Sequence, residues 1–563
     1  MAGGRMTTAR VSRRETLALA LGGAMVAGGA HAAPHGTLTI GISQFPGIFH
    51  QGFALTTSTD YILSFTHRPL VAYDADWKLV PLLAREIPSE ENGRLTRREE
   101  NGRTITEARF TISSDYCWGD GTPVTSRDFI FSLKVGKDER IGYVSTSIYR
   151  AIESIVAESD DTFIVRFASP PCDMAAMADF LVLPAHLEEP VFDADPLAYK
   201  ARTRYDTETT NPGLHHGPYR IAELRKGDSA VLVRNEHWKG KRPHFDRFTI
   251  RAIENSAALQ NNLLSGAVDY VPGELGLAVD QAMALAPRVA GRFVIRYNEG
   301  LTHEQIGIDM MHPILSDVRV RRALAHAIDK ETINRQLWGG KHLVSRWLRN
   351  PKDPVSTDEI VKYPYDPARA GALLEEAGWQ AGTDGIRVNQ KGERLRFTLI
   401  GVGGNRAVLL TQQIVQSQLK RIGVDLEIKS APARVLFGEI TQRRQTGGMM
   451  IYAFKPLPGG NPRNGFHSSQ IPRAETNYAG QNFFGWADPE IDRVTDGLET
   501  VCEPQARTAL WKRLQQLYAE QVPVIPLFFR AEADIMPPWL TGIVPTGHSH
   551  LPTLWAEHWA ATA

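Results

Sequence analysis

Cysteine is scarce: Cys117, Cys172 and Cys502 are the only three among 563 residues. Three thiols cannot build a disulfide framework, even in an oxidising compartment. At most one bridge can form. Cys117–Cys172 is the favoured pair, set against a fully reduced chain. Net charge is missing as well, with 63 basic side chains balancing 63 acidic ones. Four Arg and one Glu fall within residues 1–32, so the remainder carries 59 basic and 62 acidic groups, a net charge near −3. That argues against nucleic acid, which needs a basic partner surface. After residue 32 no stretch of 18 or more apolar residues occurs, so no membrane-spanning helix is expected there. Catalytic signatures are also lacking: no C-x-x-C, H-E-x-x-H, G-x-S-x-G or P-loop is present. Gly401-Val402-Gly403-Gly404 lacks the full glycine pattern and a Lys-Ser/Thr, and reads as an ordinary turn. His215-His216 and His548-Ser549-His550 have no acidic or thiolate company at metal-ligand spacing. Asp115, Asp120 and Gly121 do not match a calcium loop. No metal and no cofactor is expected.

What is present begins with the amino terminus. Ser12-Arg13-Arg14-Glu15-Thr16-Leu17 is a twin-arginine pattern, followed by the uncharged apolar run Leu17 to Ala30 and the small-x-small site Ala30-His31-Ala32. That is the layout of an export signal over residues 1–32. The run is about 14 residues, short of the roughly 20 that span a bilayer. No cysteine follows it, so a lipid anchor is not expected. A twin-arginine signal implies export of an already folded chain.

About 530 residues remain, more than one core usually serves, so two or more domains are expected. An apolar content of 42% fits a globular protein. Strands and helices alternate. Thr37 to Ile42, Arg109 to Ile112, Asp161 to Phe167, Tyr219 to Ile221, Ala230 to Val233 and Val268 to Val271 read as strands. Thr125 or Ser126 caps a helix whose inner face takes Phe129, Ile130 and Leu133. Asn255 to Gly266 is an amphipathic helix. Ser316 or Asp317 caps another, with Val320, Ala323, Leu324, Ala327 and Ile328 at helical spacing. Asp366-Pro367 starts a further helix that Gly378 ends. Leu395 to Ile400, the helix Thr411 to Arg421 and Val424 to Ile428 follow in a βαβ-like rhythm, which suggests a mixed α/β lobe. Pro523 to Phe529 is a buried strand. The polar run Glu90 to Arg103 reads as an exposed loop or hairpin.

Four segments stand out in order: Trp118-Gly119-Asp120-Gly121-Thr122-Pro123, His216-Gly217-Pro218-Tyr219 with Asn235-Glu236-His237-Trp238, Asp317 to Lys330, and Tyr365-Asp366-Pro367 to Gly378-Trp379. Jointly they resemble the large extracytoplasmic solute-binding proteins of the peptide/nickel/opine transporter class, over roughly Gly36 to Leu527. The resemblance implies an α/β, periplasmic-binding-protein-like fold: two α/β lobes around a hinged ligand cleft, plus an extra lobe. Lobe I would take 33–73, 180–295 and 516–563, the extra lobe II 74–179, and lobe III 296–515. It implies a monomeric carrier of a small-molecule or short-peptide ligand, with a membrane permease as partner. Trp118, Gly121, Pro218, Tyr219, Asn235, Trp238, Arg321 and Asp329 would be scaffold.

In peptide-binding relatives a lobe III segment resembling W-x-x-D-Y-x-x-P supplies an aspartate for the ligand's α-amine. The matching stretch here, Ile451 to Pro462, lacks that aspartate and has Lys455 near its place. A lysine there would repel an α-ammonium and favour an acidic or sugar-acid group; alternatively it points to solvent and another acid serves. Candidate ligand contacts are Phe45, Phe49, Tyr452, Phe454, Lys455, Asn461, Arg463, Phe466, Phe483 and Trp486, with Phe484 as a further aromatic in the same region. Some of these must be core. Three functions follow: a carrier of peptides or peptide-like solutes; a carrier of an opine, oligosaccharide or metal chelate; or a periplasmic enzyme or chaperone on the same scaffold.

Overall fold

The computed structural model describes residues 36–562, apart from 54–55, 101–102, 169–171, 173, 456–457, 461, 477 and 479. The expected export signal lies outside the described residues. Three larger sheets organise the rest. The first has the order Thr37–Ile42, Arg247–Ala252, Ser229–Arg234, Tyr219–Arg225. Leu38, Ile40 and Ile42 alternate inward to a core with Tyr219, Leu232 and Phe248, as the period-two pattern predicts. The second sheet has the order Leu95–Glu100, Arg103–Thr111, Thr162–Phe167, Ile152–Ala157. Its first two strands form the hairpin expected from the polar run. Its core continues through Phe180, Phe192, Tyr199, Tyr205 and Leu214, beyond residue 179.

The third sheet has six strands: Leu343–Val344, Val524–Met536, Val294–Ile308, Gly448–Phe454, Arg396–Val402 and Asp425–Ala431. Arg396–Val402 runs parallel to both of its neighbours, with helix Arg406–Arg421 as the crossover. That helix starts earlier than expected because Asn405 caps it through Val408 N–H at 3.1 Å. Helix Val318–Ala327 begins where Asp317 accepts from Arg319 N–H at 2.8 Å. Helix Pro367–Glu376 carries Pro at its first position and is followed by Gly378 at φ +89°. One helical stripe departs from expectation. In Ser126–Lys137, Phe129 and Leu133 are buried but Ile130 is 40% exposed. One residue turns about 100° on a helix, so Phe129 and Ile130 cannot both centre on one face.

Two strands are much longer than the sequence pattern suggested. Val294–Ile308 and Val524–Met536 pair antiparallel along nearly their whole lengths, with a register break between Glu299 and His303. On one side of the break, Ile295, Ala533 and Ile535 pack with Leu259, Leu263 and Val268. On the other, Ile306, Ile308, Ile525 and Leu527 pack with Leu324, Leu399 and Met449. Each strand therefore belongs to two cores. Glycine makes the break possible: a Cβ on Gly547 would meet Glu299 O at 2.5 Å, and Leu301 N–H donates to Gly547 O at 2.7 Å. Beside Pro526, which brings no N–H, the register slips again between Glu304 and Gln305.

The disulfide corrects the sequence expectation. Cys172 pairs with Cys502, at a Cα–Cα distance of 4.7 Å, and Cys117 is a buried free thiol. Cys117 is buried next to Trp118, whose ring belongs to the second core, whereas Cys172 faces the end of helix Pro489–Thr500. Among the described residues no group of three or more His, Cys, Asp or Glu could hold a metal, and no helix is long and apolar enough to cross a membrane. The expected scaffold residues do hold segments together. Arg321 donates to the carbonyls of Leu315, Ser316 and Gln521, and Asn235 Nδ2 to Gly217 O at 3.0 Å.

Gly307 lies on the third-sheet side of the break, and a Cβ there would sit 2.0 Å from the buried Phe484 ring. Gly307→Ala should cost about 1–3 kcal/mol by overpacking, read as a lower urea midpoint with near-unchanged secondary structure at rest.

Candidate functional site

The register break collects polar groups that neither core can absorb. Val271 exchanges both backbone hydrogen bonds with Ile535 at 2.9 Å, which pins the following loop to the crossing strand. Gly273 allows the approach: a Cβ there would meet Glu532 Cβ at 2.9 Å, and its N–H donates to Asp534 Oδ1 at 3.1 Å. Leu275 O accepts from Ser43 N–H at 2.7 Å, so the loop that follows the first strand is joined to the 272–276 loop. Glu274 lies between these two anchors.

Three carboxylates and one lysine meet here. Asp534 is buried and fully engaged: Oδ1 accepts from Tyr270 O–H at 2.6 Å, and Oδ2 from Asn298 Nδ2 at 2.7 Å. Glu532 Oε1 accepts from Lys455 Nζ at 3.1 Å. Lys455 directly follows strand Gly448–Phe454, so this ion pair spans the break from the third-sheet side to the other. Glu274 Oε2 is shut off from solvent and accepts no hydrogen bond. Burial pushes the Glu274 carboxyl well above its ordinary range, and the negative charges of Asp534 and Glu532 add to that, while Lys455 opposes it. Burial also raises Asp534, against the hydrogen bonds it accepts from Tyr270, Gly273 and Asn298.

The neighbouring walls are neutral or internally paired. His548 is pushed down to about 4, first by burial, and donates Nε2–H to Asp74 O at 2.8 Å. His550 Nδ1 accepts from Tyr73 N–H at 2.8 Å. Arg349 holds the buried Asp353, whose Oδ2 also accepts from Gly459 N–H at 3.3 Å. Gly459, at φ +63°, lies against Tyr73: a Cβ on it would be 3.7 Å from the phenol oxygen. The stretch after Lys455 thus reaches across to the strand Val71–Tyr73.

The residues singled out in the sequence do not form one cluster. Tyr452 and Phe454 stack at 6.3 Å beside Lys455, and the Tyr452 hydroxyl oxygen accepts from Gln305 Nε2–H. Lys455 is neither free nor directed into solvent; it is paired, with 26% of its side chain exposed. Phe49 is buried in the first core, with Phe45 6.1 Å away at its edge. Trp486 is core: 1% exposed, its indole N–H donates to Gln521 Oε1 at 2.7 Å, and Phe466 packs on it at 5.3 Å. Phe484, also buried, fills the space above Gly307. Phe483 is half-buried, with its carbonyl accepting from Arg444 Nε at 3.2 Å. Arg463 is held by Asp496 at 3.0 Å and Glu499 at 3.3 Å on helix Pro489–Thr500. Asn461 lies outside the described residues. Sequence reasoning missed Glu274, Glu532 and Asp534. The available signal was Pro272-Gly273-Glu274, an acid on a tight turn at the end of a strand.

The profile of the bacterial extracellular solute-binding proteins, family 5 Middle, matches residues 78–469. The oligopeptide-binding protein AppA of Bacillus subtilis is 23% identical over 433 residues, 75% of this chain and 75% of that protein. The nickel-binding periplasmic protein of Escherichia coli K12 is 22% identical over 496 residues, 87% of this chain and 88% of that one. In three dimensions the chain is similar to the oligopeptide binding protein of Thermus thermophilus, solved with a pentapeptide: the TM-score is 0.69 and the identity 25%, over 93% of this chain and 96% of the other. With its strands shared between two cores and its third sheet unit, the chain belongs to family 5 of the bacterial extracellular solute-binding proteins.

Proposed function

We propose that this chain is the solute-capturing component of an ATP-driven importer. It takes a short peptide or peptide-like solute with a free amino terminus and passes it to a membrane permease when the cleft closes. The observation that carries the reading is the floor at the strand break, where Glu274, Glu532 and Asp534 face one lysine. A net negative, water-poor site strengthens the hold on a cation. Glu274 Oε2, shielded and unpaired, supplies the acceptor that a ligand ammonium would satisfy. Lys455 then has a different role from the one its sequence position suggested. Paired with Glu532, it holds the two sides together and leaves the floor acidic. Closure is hinge bending about residues 299–303 and 529–531, and solute shifts it by binding the closed form better. Binding of peptides by family relatives supports this reading.

Export through the twin-arginine route, residence in the periplasm without a lipid anchor, and action as a monomer without chemical turnover belong to the same proposal. So do the lobe limits expected from the sequence, with the packing of 180–214 favouring a larger extra lobe.

Native mass spectrometry of the protein purified from its own periplasm, followed by a denatured spectrum, should release a peptide with a free amino terminus. Release of an acidic, sugar-containing or metal-chelating molecule would overturn the acidic-floor reading. Glu274→Gln should weaken binding of the released peptide by about ten- to a hundredfold, the range set by one charge-assisted hydrogen bond.

The same carboxyl leaves a pH signature. A carboxylate raised on folding contributes stability that is full below its unfolded value and is lost as pH rises through its folded value. The buried histidines act in the other direction. His50, His215 and His303 are lowered to about 3 by burial and contribute stability that is lost as pH falls below about 6.5. The difference between variants isolates the carboxyl: Glu274→Gln should raise the melting temperature relative to the parent more at about pH 8 than at about pH 5. A pH-independent difference would show that Glu274 is ionised freely.

A further inference from the structure

We propose that the Cys172–Cys502 disulfide is a strap across the cleft, and that its redox state sets how far the cleft opens. The bond joins parts that pack separately. Cys172 precedes Met174–Asp179, whose Met174 and Met177 are buried in the core of the second sheet. Cys502 follows helix Pro489–Thr500, whose Ile491, Val494 and Leu498 are buried around Trp511 in another core. The two cysteines are 330 residues apart in sequence. No sheet among the described residues contains strands of both regions.

The bridge also lies away from the hinge. The stretch that begins at the hinge pair Lys455–Glu532 passes Tyr73 at Gly459 and reaches Arg463, which is paired with Asp496 and Glu499. Cys172 Sγ lies 3.7 Å from Glu499 O, at this far end. The crossing strands at 299–303 and 529–531 tie the third sheet to the core around Leu259 and Leu263, and the disulfide ties it separately to the second-sheet unit, which is itself held to the first core where Phe49 N–H donates to Asp206 Oδ1 at 2.7 Å. A disulfide keeps its Cα atoms within about 7 Å. A swing about the hinge that separates the rims further cannot occur while the bond is intact. The oxidised protein then samples a narrower range of openings and holds its solute longer; cutting the strap releases the full swing.

The redox step is a thiol–disulfide exchange. The Cys172 and Cys502 thiols give up two protons and two electrons to the disulfide of an external oxidant, which leaves as two thiols. A dithiol reductant reverses it, ending as its own disulfide. This inference depends on the hinge alone and not on which solute is carried, so the mass-spectrometric test of cargo can fail without affecting it.

The test compares three samples of the full mature chain: protein isolated oxidised, the same protein reduced with dithiothreitol and alkylated, and Cys172→Ser/Cys502→Ser. A non-reducing peptide map should show the 172–502 linkage in the first sample only. Small-angle scattering should give a larger radius of gyration for the second and third. Amides of residues 299–303 and 529–531 should exchange about tenfold faster in both. Cys117→Ser should behave as the oxidised parent. Free thiols at 172 and 502 in the oxidised isolate would overturn the proposal, as would scattering and exchange that are the same in all three samples. If reduction and alkylation disturb the fold by circular dichroism, the serine variant decides; if the serine variant does not fold, the reduced sample decides.

Discussion

Two antiparallel strands that each serve two hydrophobic cores impose the main constraint on this protein. Val294–Ile308 and Val524–Met536 bury one end in the core around Leu259 and Leu263, and the other in the core around Leu324 and Leu399. The ladder breaks between Glu299 and His303, and Gly547 fills the turn with backbone. Backbone polar groups freed at such a break need partners. Leu301 N–H finds Gly547 O, and the surrounding loops close in on the same place.

The acidic floor follows from that arrangement. Residues on the far side of the break, Glu532 and Asp534, project beside the 272–276 loop because Val271 pairs with Ile535. Asp534 is satisfied three times over and is structural. Glu532 is satisfied by Lys455 from the other side. Glu274 is the carboxylate left with an unpaired oxygen, in a place where burial disfavours its charge. Removing one buried charge partner costs more than the pair contributes. In the proposed site, that unpaired oxygen is the acceptor offered to a cationic group rather than a stabilising feature.

The aromatic residues illustrate how little composition says about a site. Trp486, Phe49 and Phe484 occur where a ligand pocket was expected, yet all three are core. Trp486 has an indole partner in Gln521, and Phe484 lies against the bare backbone of Gly307. The cysteines make the same point. Cys117 and Cys172 are closer in sequence, but packing puts Cys172 against Cys502.

The sequence by itself determined the local elements and the family. Caps such as Asp317 and Asp366, the terminator Gly378 and the alternation of Leu38, Ile40 and Ile42 act within a few residues, so their consequences can be read without the fold. The long crossing strands were not legible: Asn298-Glu299-Gly300 interrupts the apolar pattern of one, and only the first half of the other was recognised. Of the site, Lys455 was visible as a departure from a familiar segment. Its partner Glu532, the neighbouring Asp534 and the unpaired Glu274 were not. They are drawn from two distant stretches of chain, and a carboxylate's role depends on what charge lies beside it and whether water reaches it. Those are properties of tertiary proximity, and only the folded arrangement of the break decides them.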